Sequence, residues 1–374
     1  MDTVSVLIKP ASSSCNLRCR YCFYEDITTL REIPNMGMMS EQTLEQLVQQ
    51  AMSLAERRVS FAFQGGEPML RGLEFYQKFI ALEQKYRRAG LVVEHSIQTN
   101  GMLIDEAWAD FFRDNGFLVG VSLDGLRQLH DANRIDAKGK GTWTAVERAI
   151  RLLQKKQVNY NLLCVITGPA GRRGQAIYQN LKSMGCRFLQ FIPCLDPLEE
   201  EHGSHGFSLS PERYGTFLKT VFDLWYRDWE QGDYVSIRLF DDYVHLLSGQ
   251  PAGTCATNGA CGRYFVVEGD GSVYPCDFFV LDDYRLGSLE ERTLEEMAAS
   301  PVACSFCTVG RGAPKECEGC RWLPLCGGGC QRDWVDGQRN YHCQAFRDFF
   351  EYAYPRLEHI ARLERRAARN DGGR

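Results

Sequence analysis

The chain has 374 residues, 44% of them hydrophobic and 24% charged, with a net charge of −5. This is the make-up of a globular protein with a large core, in two domains or one domain with an appendage, and it excludes a nucleic-acid binder that works by neutralising phosphates. No apolar run reaches the roughly 18 residues needed to cross a bilayer, and MDTVSVLIKP lacks both a basic start and a sustained apolar stretch, so a cytoplasmic protein without a membrane partner is expected.

VSVLIK at 4–9 predicts a strand that leads directly into a cysteine loop, ASSSCNLRCRYC. Ser40 is placed to cap a helix through TLEQLVQQAMSLAER, with Glu41 at its positive end. VSFAFQGGEP reads as a buried strand ending in a glycine loop. The alternation continues with EFYQKFIALEQKYRRAG as helix, VVEHSIQTNG as strand, DEAWADFFRDNG as helix and FLVGVSLDG as strand. TAVERAIRLLQKKQ is a further helix, and YNLLCVITG and RFLQFIPCLDP are further strands. Such alternation means βαβ units and a parallel sheet. About six units before residue 200 predict a partial (β/α)6 barrel rather than a closed eight-fold one. The polar punctuation follows the strands: Cys15 to Cys22, Gln64 to Glu67, Gln98 to Gly101, Ser122 to Gly125 and Leu195 to Pro197. In parallel barrels that end builds the site.

After about residue 235 glycine and cysteine rise, strands shorten, and long helices are not expected until the end. Glu268-Gly269-Asp270-Gly271-Ser272 signals a hairpin. FRDFFEYAYPRLEHIARLERRAAR returns to helix and then frays into NDGGR. The expected divisions are 1–235 for the barrel, 236–345 for a small cysteine-rich domain, and 346–374 for the C-terminal helix and tail.

Sixteen cysteines are too many to be incidental. A reducing cytosol argues against disulfides and for thiolates held by metal. Cys15, Cys19 and Cys22 form C-x3-C-x2-C. Three thiolates on a four-iron cube leave one iron open, as a reactive centre needs and a structural one avoids. The loop Gly65-Gly66-Glu67-Pro68 permits close backbone approach and offers acceptors to an ammonium group. Tyr21 could stack on an adenine, and Ser122 and Arg134 could hold a carboxylate and a ribose. Further along, Cys317-x2-Cys320-x5-Cys326-x3-Cys330 and then Cys343 fit cluster ligation better than a zinc ribbon. With Cys304 and Cys307 set aside, the C-terminal part keeps eight cysteines, enough for two fully ligated clusters that transfer electrons.

The three-cysteine loop resembles the radical S-adenosylmethionine superfamily, and the later pattern looks like its SPASM domain. Across LIKPASSSCNLRCRYCFY, FAFQGGEP, SIQTNGMLIDE, LVGVSLDG, LQFIPCLDPL, SVYPCDFFVLDDYRLG and FFEYAYPRL, the chain is similar to the anaerobic sulfatase-maturating enzymes. That resemblance implies three [4Fe-4S] clusters and S-adenosyl-L-methionine, with Tyr21, Gly65, Gly66, Glu67, Ser122, Arg134 and Leu195 around the cofactor. Cys255, Cys261, Cys276 and Cys330 would hold one auxiliary cluster, and Cys317, Cys320, Cys326 and Cys343 the other. The implied reaction converts a Cys or Ser of a sulfatase C/S-x-P-x-R-type motif to Cα-formylglycine. A 5′-deoxyadenosyl radical takes a Cβ hydrogen, and loss of an electron and a proton gives a thioaldehyde that water converts to the aldehyde. Asp277, directly after Cys276, is the expected proton acceptor, ahead of Asp282, Asp283, Asp241 and Asp242.

The expected partners are the sulfatase and an electron donor such as flavodoxin or ferredoxin, and the expected state is a monomer. Cys304-Ser305-Phe306-Cys307 departs from the family pattern and is expected to be two thiols without a cluster role on a variable loop; Cys164, Cys186 and Cys194 are expected as small buried hydrophobes. The competing reading is a SPASM enzyme forming thioether or carbon–carbon crosslinks in a ribosomal peptide. Many of those carry an N-terminal leader-binding domain of about 80 residues, for which the early first strand leaves no room. A non-catalytic electron carrier would need neither the open three-cysteine loop nor the GGEP cradle.

Overall fold

The computed structural model describes residues 1–310 and 312–371. In chain order the barrel strands and their short companions are β1 (Thr3–Ile8), β2 (Leu17–Cys19), β3 (Arg58–Phe63), β4 (Val92–Thr99), β5 (Leu118–Ser122), β6 (Arg134–Asp136), β7 (Tyr160–Ile166) and β8 (Phe188–Pro193). After these come β9 (Ser236–Ile237), β10 (Phe265–Val267), β11 (Ser272–Tyr274), β12 (Gly287–Ser288), β13 (Trp334–Val335) and β14 (Arg339–Asn340). The helices begin with α1 (Phe23–Thr29), α2 (Glu41–Leu54), α3 (Leu73–Tyr86), α4 (Glu106–Asp114), α5 (Arg127–Asn133), α6 (Trp143–Lys155), α7 (Gly168–Gly171) and α8 (Gly174–Ser183). They continue with α9 (Pro211–Glu230), α10 (Arg238–Leu247), α11 (Cys255–Asn258), α12 (Leu294–Ala298), α13 (Pro301–Val309), α14 (Leu323–Cys326) and α15 (Cys343–Asp371). Each predicted barrel strand and helix is present. The helix at 41 starts as expected, with Ser40 Oγ accepting the Thr43 amide at 3.0 Å.

The chain gathers into two compact units: Met1–Leu123 with His130–Asn161 and Arg263–Phe306, and Asp124–Leu129 with Leu162–Gly262 and Cys307–Arg374. In the first, β1, β3, β4 and β5 are parallel neighbours, with Ile8 opposite Phe63, Phe63 opposite Ile97 and Thr99 opposite Val121. Their C-terminal ends are therefore level, and the loops after them leave along one edge. Val4, Val6, Phe61, Phe63 and Ile97 are buried, as are Leu44 and Leu47 of α2 and Phe75 and Phe79 of α3. The Phe79 ring meets Phe61 at 5.2 Å and Phe63 at 5.0 Å. Each such side chain contributes about 1.5–3 kcal/mol of burial, so the edge rests on a rigid base.

β10 adds to the other side of β1 in parallel, Val6 opposite Phe265, and β11 returns antiparallel through the expected hairpin. Gly271 takes φ +86° there, a conformation that favours glycine. β2 and β6 form a separate antiparallel pair.

In the second unit β7, β8 and β9 are parallel, with α8, α9, α10 and α15 among its helices. The 20-residue α9 has Ser210 as cap and Pro211 in its first turn. α10 is a ten-residue helix inside the stretch expected to lack long ones. Its apolar Phe240, Tyr243 and Val244 recur at helical spacing and are buried, which overrides the glycine- and cysteine-rich composition around it. α15 continues through Asn370 and Asp371 of the expected frayed end; 372–374 lie outside the described residues. Among the described residues no helix is long and apolar enough to cross a membrane.

Candidate functional site

The cysteine loop follows β1. Cys19 pairs opposite Arg134 in the β2–β6 ladder, and the Cys22 amide donates to the Cys19 carbonyl at 3.1 Å. Cys15 Sγ accepts the Leu17 amide at 3.4 Å and lies 3.9 Å from the Asn100 side-chain amide. Burial pushes the Cys15 thiol up to about 11 despite that backbone donor, and burial likewise raises Cys22 against the amides of Glu25 and Tyr24. Buried sulfurs aimed at by N–H donors suit metal-bound thiolates better than neutral thiols. Among the described residues no three His, Cys, Asp or Glu side chains stand close enough to hold a single ion. A cube takes its thiolates at separate corners rather than on one atom, so three cysteines of one loop can serve it. The donor set fits.

The neighbouring loops lock to this one. The Glu67 amide donates to the Ser14 carbonyl at 2.8 Å. Gly66, at φ +49°, passes so close that an added Cβ would overlap the Ser14 carbonyl oxygen. Gly65, at φ +93°, lies over the Lys9 side chain. The Glu67 carboxylate turns inward, accepting from Thr99 Oγ1 at 2.9 Å, the Asn100 amide at 2.8 Å and the Met69 amide at 3.1 Å. Burial pushes this carboxyl up to about 7, with those donors opposing. Its side chain ties β4 to the loop, which leaves the loop backbone as the face toward a ligand. Ser122 Oγ, at the end of β5, accepts from Gln98 Nε2 at 3.0 Å. The buried Arg134 guanidinium stands over the Tyr21 ring at 5.4 Å, an attraction that fixes both groups. The first unit thus brings Tyr21, Gly65, Gly66, Glu67 and Arg134 together with the cysteine loop, and places Ser122 at the end of β5 along the same sheet edge. Leu195 follows β8 in the second unit, where the Arg332 guanidinium donates to the next carbonyl, of Asp196, at 2.7 Å.

Asp277 is 6% exposed. Its Oδ2 accepts the Tyr24 hydroxyl at 2.5 Å and Gln64 Nε2 at 3.3 Å, and Gln64 also donates to the Tyr24 oxygen at 2.7 Å. Its Oδ1 is buried with no hydrogen-bond partner. The Asp277 amide donates to the Tyr264 hydroxyl at 3.0 Å, which itself donates to Cys276 Sγ at 3.4 Å. Burial pushes the Asp277 carboxyl up, while the Lys9 cation and the Tyr24 hydrogen bond hold it down in part. Lys9 Nζ lies 4.8 Å from the Tyr24 ring centre and 2.9 Å from Glu268 Oε1, which Arg31 also meets at 2.9 Å. Burial would raise Glu268, but these two cations more than offset it and keep it below the ordinary range. Tyr24 and Lys9 were not among the sequence-derived residues, and Gln64 was marked only as the first residue of a loop. Their only signal was proximity, two residues after Cys22, directly after the first strand and directly before Gly65.

The second unit holds Cys255, Cys261, Cys317, Cys320, Cys326, Cys330 and Cys343, and the first holds Cys276. Cys326 is pushed up to about 12, by burial first and then by the sulfurs of Cys343, Cys317 and Cys320, with the Gly328 amide opposing. All four cysteines lie in the second unit. Cys304 and Cys307 lie on α13, not on a variable loop; Pro301 opens that helix, with Cys307 buried and Cys304 exposed. Cys164, Cys186 and Cys194 are buried as expected.

Residues 10–173 match the model of the radical SAM superfamily, and residues 255–321 that of an iron-sulfur cluster-binding domain, SPASM. The chain is 45% identical to the cysteine-type anaerobic sulfatase-maturating enzyme of Clostridium perfringens, covering 96% of this chain and 99% of that one. It is 35% identical to the serine-type enzyme of Klebsiella aerogenes over 92% and 84% of the two chains. Its fold matches that of anSMEcpe solved with bound AdoMet and the Kp18Cys peptide, at 44% identity, a TM-score of 0.92 and coverage of 96% and 99%.

Proposed function

Since the chain belongs to the anaerobic sulfatase-maturating enzymes, a radical S-adenosylmethionine family with a SPASM domain, we propose that it oxidises a cysteine of a sulfatase to Cα-formylglycine without oxygen. Cysteine is preferred to serine because the cysteine-type relative is the more similar of the two. The single observation that carries the chemistry is the buried Asp277 carboxylate, with one oxygen fixed by Tyr24 and Gln64 and the other without a partner.

Cys15, Cys19 and Cys22 hold the radical cluster; Cys255, Cys261, Cys276 and Cys330, and Cys317, Cys320, Cys326 and Cys343, hold two auxiliary ones. When bound, these clusters and S-adenosylmethionine supply a radical that removes a Cβ hydrogen atom and an acceptor for the second electron. The chain's own residues orient and protect. Gly65 and Gly66 offer backbone carbonyls to the cofactor ammonium, Arg134 and Ser122 its carboxylate and ribose, and Tyr21 and Leu195 its adenine surroundings. Asp277 takes the proton released with the second electron at Oδ1, while the Tyr24 and Gln64 donors hold Oδ2 and so aim the acceptor. Because its first oxygen is already hydrogen-bonded, the carboxylate needs no reorganisation when the proton arrives.

Cofactor cleavage belongs to residues 1–235, the auxiliary centres to 236–345, and 346–374 make up the C-terminal segment. The enzyme works in the cytoplasm as a monomer, on a sulfatase C/S-x-P-x-R-type motif and with an electron donor such as flavodoxin or ferredoxin. The test is mass spectrometry of C-x-P-x-R and S-x-P-x-R peptides after anaerobic turnover. The cysteine peptide should exchange one sulfur and two hydrogens for one oxygen. Failure of both peptides to change would overturn the function, and conversion of the serine peptide alone would reverse the preference.

A further inference from the structure

α13 carries a thiol that the reaction does not use. Cys307 is 6% exposed, and its S–H donates to the Gly262 carbonyl at 3.9 Å. Gly262 directly follows Cys261, whose own amide donates to the Gly310 carbonyl just past the end of α13 at 3.1 Å. Two contacts thus fasten the end of this helix, sulfur side inward, to the loop that bears Cys261. Cys261 Sγ also accepts from the side-chain amide of Gln331, the residue after Cys330, at 3.3 Å. The Ala260 amide, one residue before Cys261, donates to the Cys255 carbonyl at 3.3 Å. Cys255, Cys261 and Cys307 therefore share one neighbourhood inside the second unit, on the loop that Gln331 joins to Cys330.

We propose that Cys307 is a reserve ligand for the auxiliary-cluster thiolates Cys255, Cys261 and Cys330 of its own unit, placed to take an iron corner when one of them is lost. This rests on the cluster assignment given above. The exchange is redox-neutral. Cys307 gives up its proton as its sulfur–iron bond forms, the bond from iron to the departing sulfur breaks, and that sulfur takes up a proton. The S–H to carbonyl contact that must be given up is a weak one, so the thiol is buried and held without being committed. Soft thiolate is also the ligand an iron–sulfur corner accepts in preference to water or carboxylate. The chain would thereby keep its electron acceptor when an assigned thiolate detaches and is protonated.

The test uses full-length, anaerobically reconstituted protein and reads iron content together with the electron paramagnetic resonance spectrum of the reduced clusters. Three four-iron cubes give about 12 irons per chain, expected for wild type and for Cys307→Ala. Cys261→Ala and, separately, Cys255→Ala should each stay near 12 with an altered auxiliary signal, whereas combining either with Cys307→Ala should lower the count to about 8. Single variants already at about 8, or double variants equal to their singles, would overturn the reserve role while leaving the three-cluster reading intact. Wild type clearly below about 12 would instead overturn the three-cluster reading, and the reserve role with it.

Discussion

Replacing Asp277 with Asn keeps the shape of the side chain and inverts the chemistry at one atom. The Oδ2 position faces two donors, Tyr24 at 2.5 Å and Gln64 at 3.3 Å. The amide must therefore set its oxygen there and its NH2 at the position of Oδ1, which is buried and without a partner. A site that accepted a proton now presents two. A positioned general base is worth about 10²–10⁴-fold, or about 3–5 kcal/mol of barrier. The buried unsatisfied NH2 costs about 1–3 kcal/mol of stability, an amount a domain of this size tolerates. In anaerobic turnover with a C-x-P-x-R peptide, 5′-deoxyadenosine measured by chromatography should persist while formylglycine measured by mass spectrometry falls by about 10²–10⁴. Normal aldehyde yield would remove Asp277 from the reaction. Parallel loss of both products, with the clusters intact, would mean that Asp277 acts on cofactor cleavage and not on the proton.

Tyr24→Phe leaves the carboxylate but removes its shortest donor, a hydrogen bond to a charged group worth about 1.5–3 kcal/mol, so formylglycine formation should drop roughly 10- to 100-fold with cofactor cleavage retained. Gly66→Ala forces a Cβ onto the Ser14 carbonyl at a positive φ. Equilibrium dialysis should show S-adenosylmethionine binding weakened about tenfold or more. Glu67 gives a pH dependence with a definite sign. Its unfolded carboxyl releases a proton near 4.5 and its buried one at about 7, so the folded state holds the extra proton between those values. Its contribution therefore falls as pH rises from about 4.5 to about 7 and is flat above. Denaturation of wild type should show about 1 kcal/mol less stability from this group at pH 8 than at pH 6, a difference absent in Glu67→Gln.

The barrel was legible because its strands and helices keep separate periods and its punctuation sits after each strand; C-x3-C-x2-C and GGEP carry their chemistry in local spacing. What could not be read depends on pairing at long range. Nothing in FVV at 265 says that it will lie beside Val6 and Ile8, since any short apolar run could pair there. Asp277 was found through Cys276, but its partners Tyr24, on α1, and Gln64, after β3, lie more than two hundred residues earlier, and only the folded sheet brings them together. Glu67 was placed in the right loop with an incomplete role, because sequence shows a carboxylate and not which way it turns. α10 and the helical setting of Cys304 and Cys307 were obscured by a composition dominated by cysteine and glycine, in which buried spacing, rather than average content, decides the outcome.

The central claim is that the loop of Cys15, Cys19 and Cys22 leaves one iron corner open for S-adenosylmethionine. Electron–nuclear double resonance on the reconstituted N-terminal cluster, with both auxiliary sites removed by Cys→Ala substitution and isotopically labelled cofactor added, reads that corner directly. The account predicts hyperfine coupling between the cluster and the amino nitrogen and carboxylate of the cofactor. A spectrum indifferent to the cofactor, or one showing a protein side chain already on the fourth iron, would contradict it.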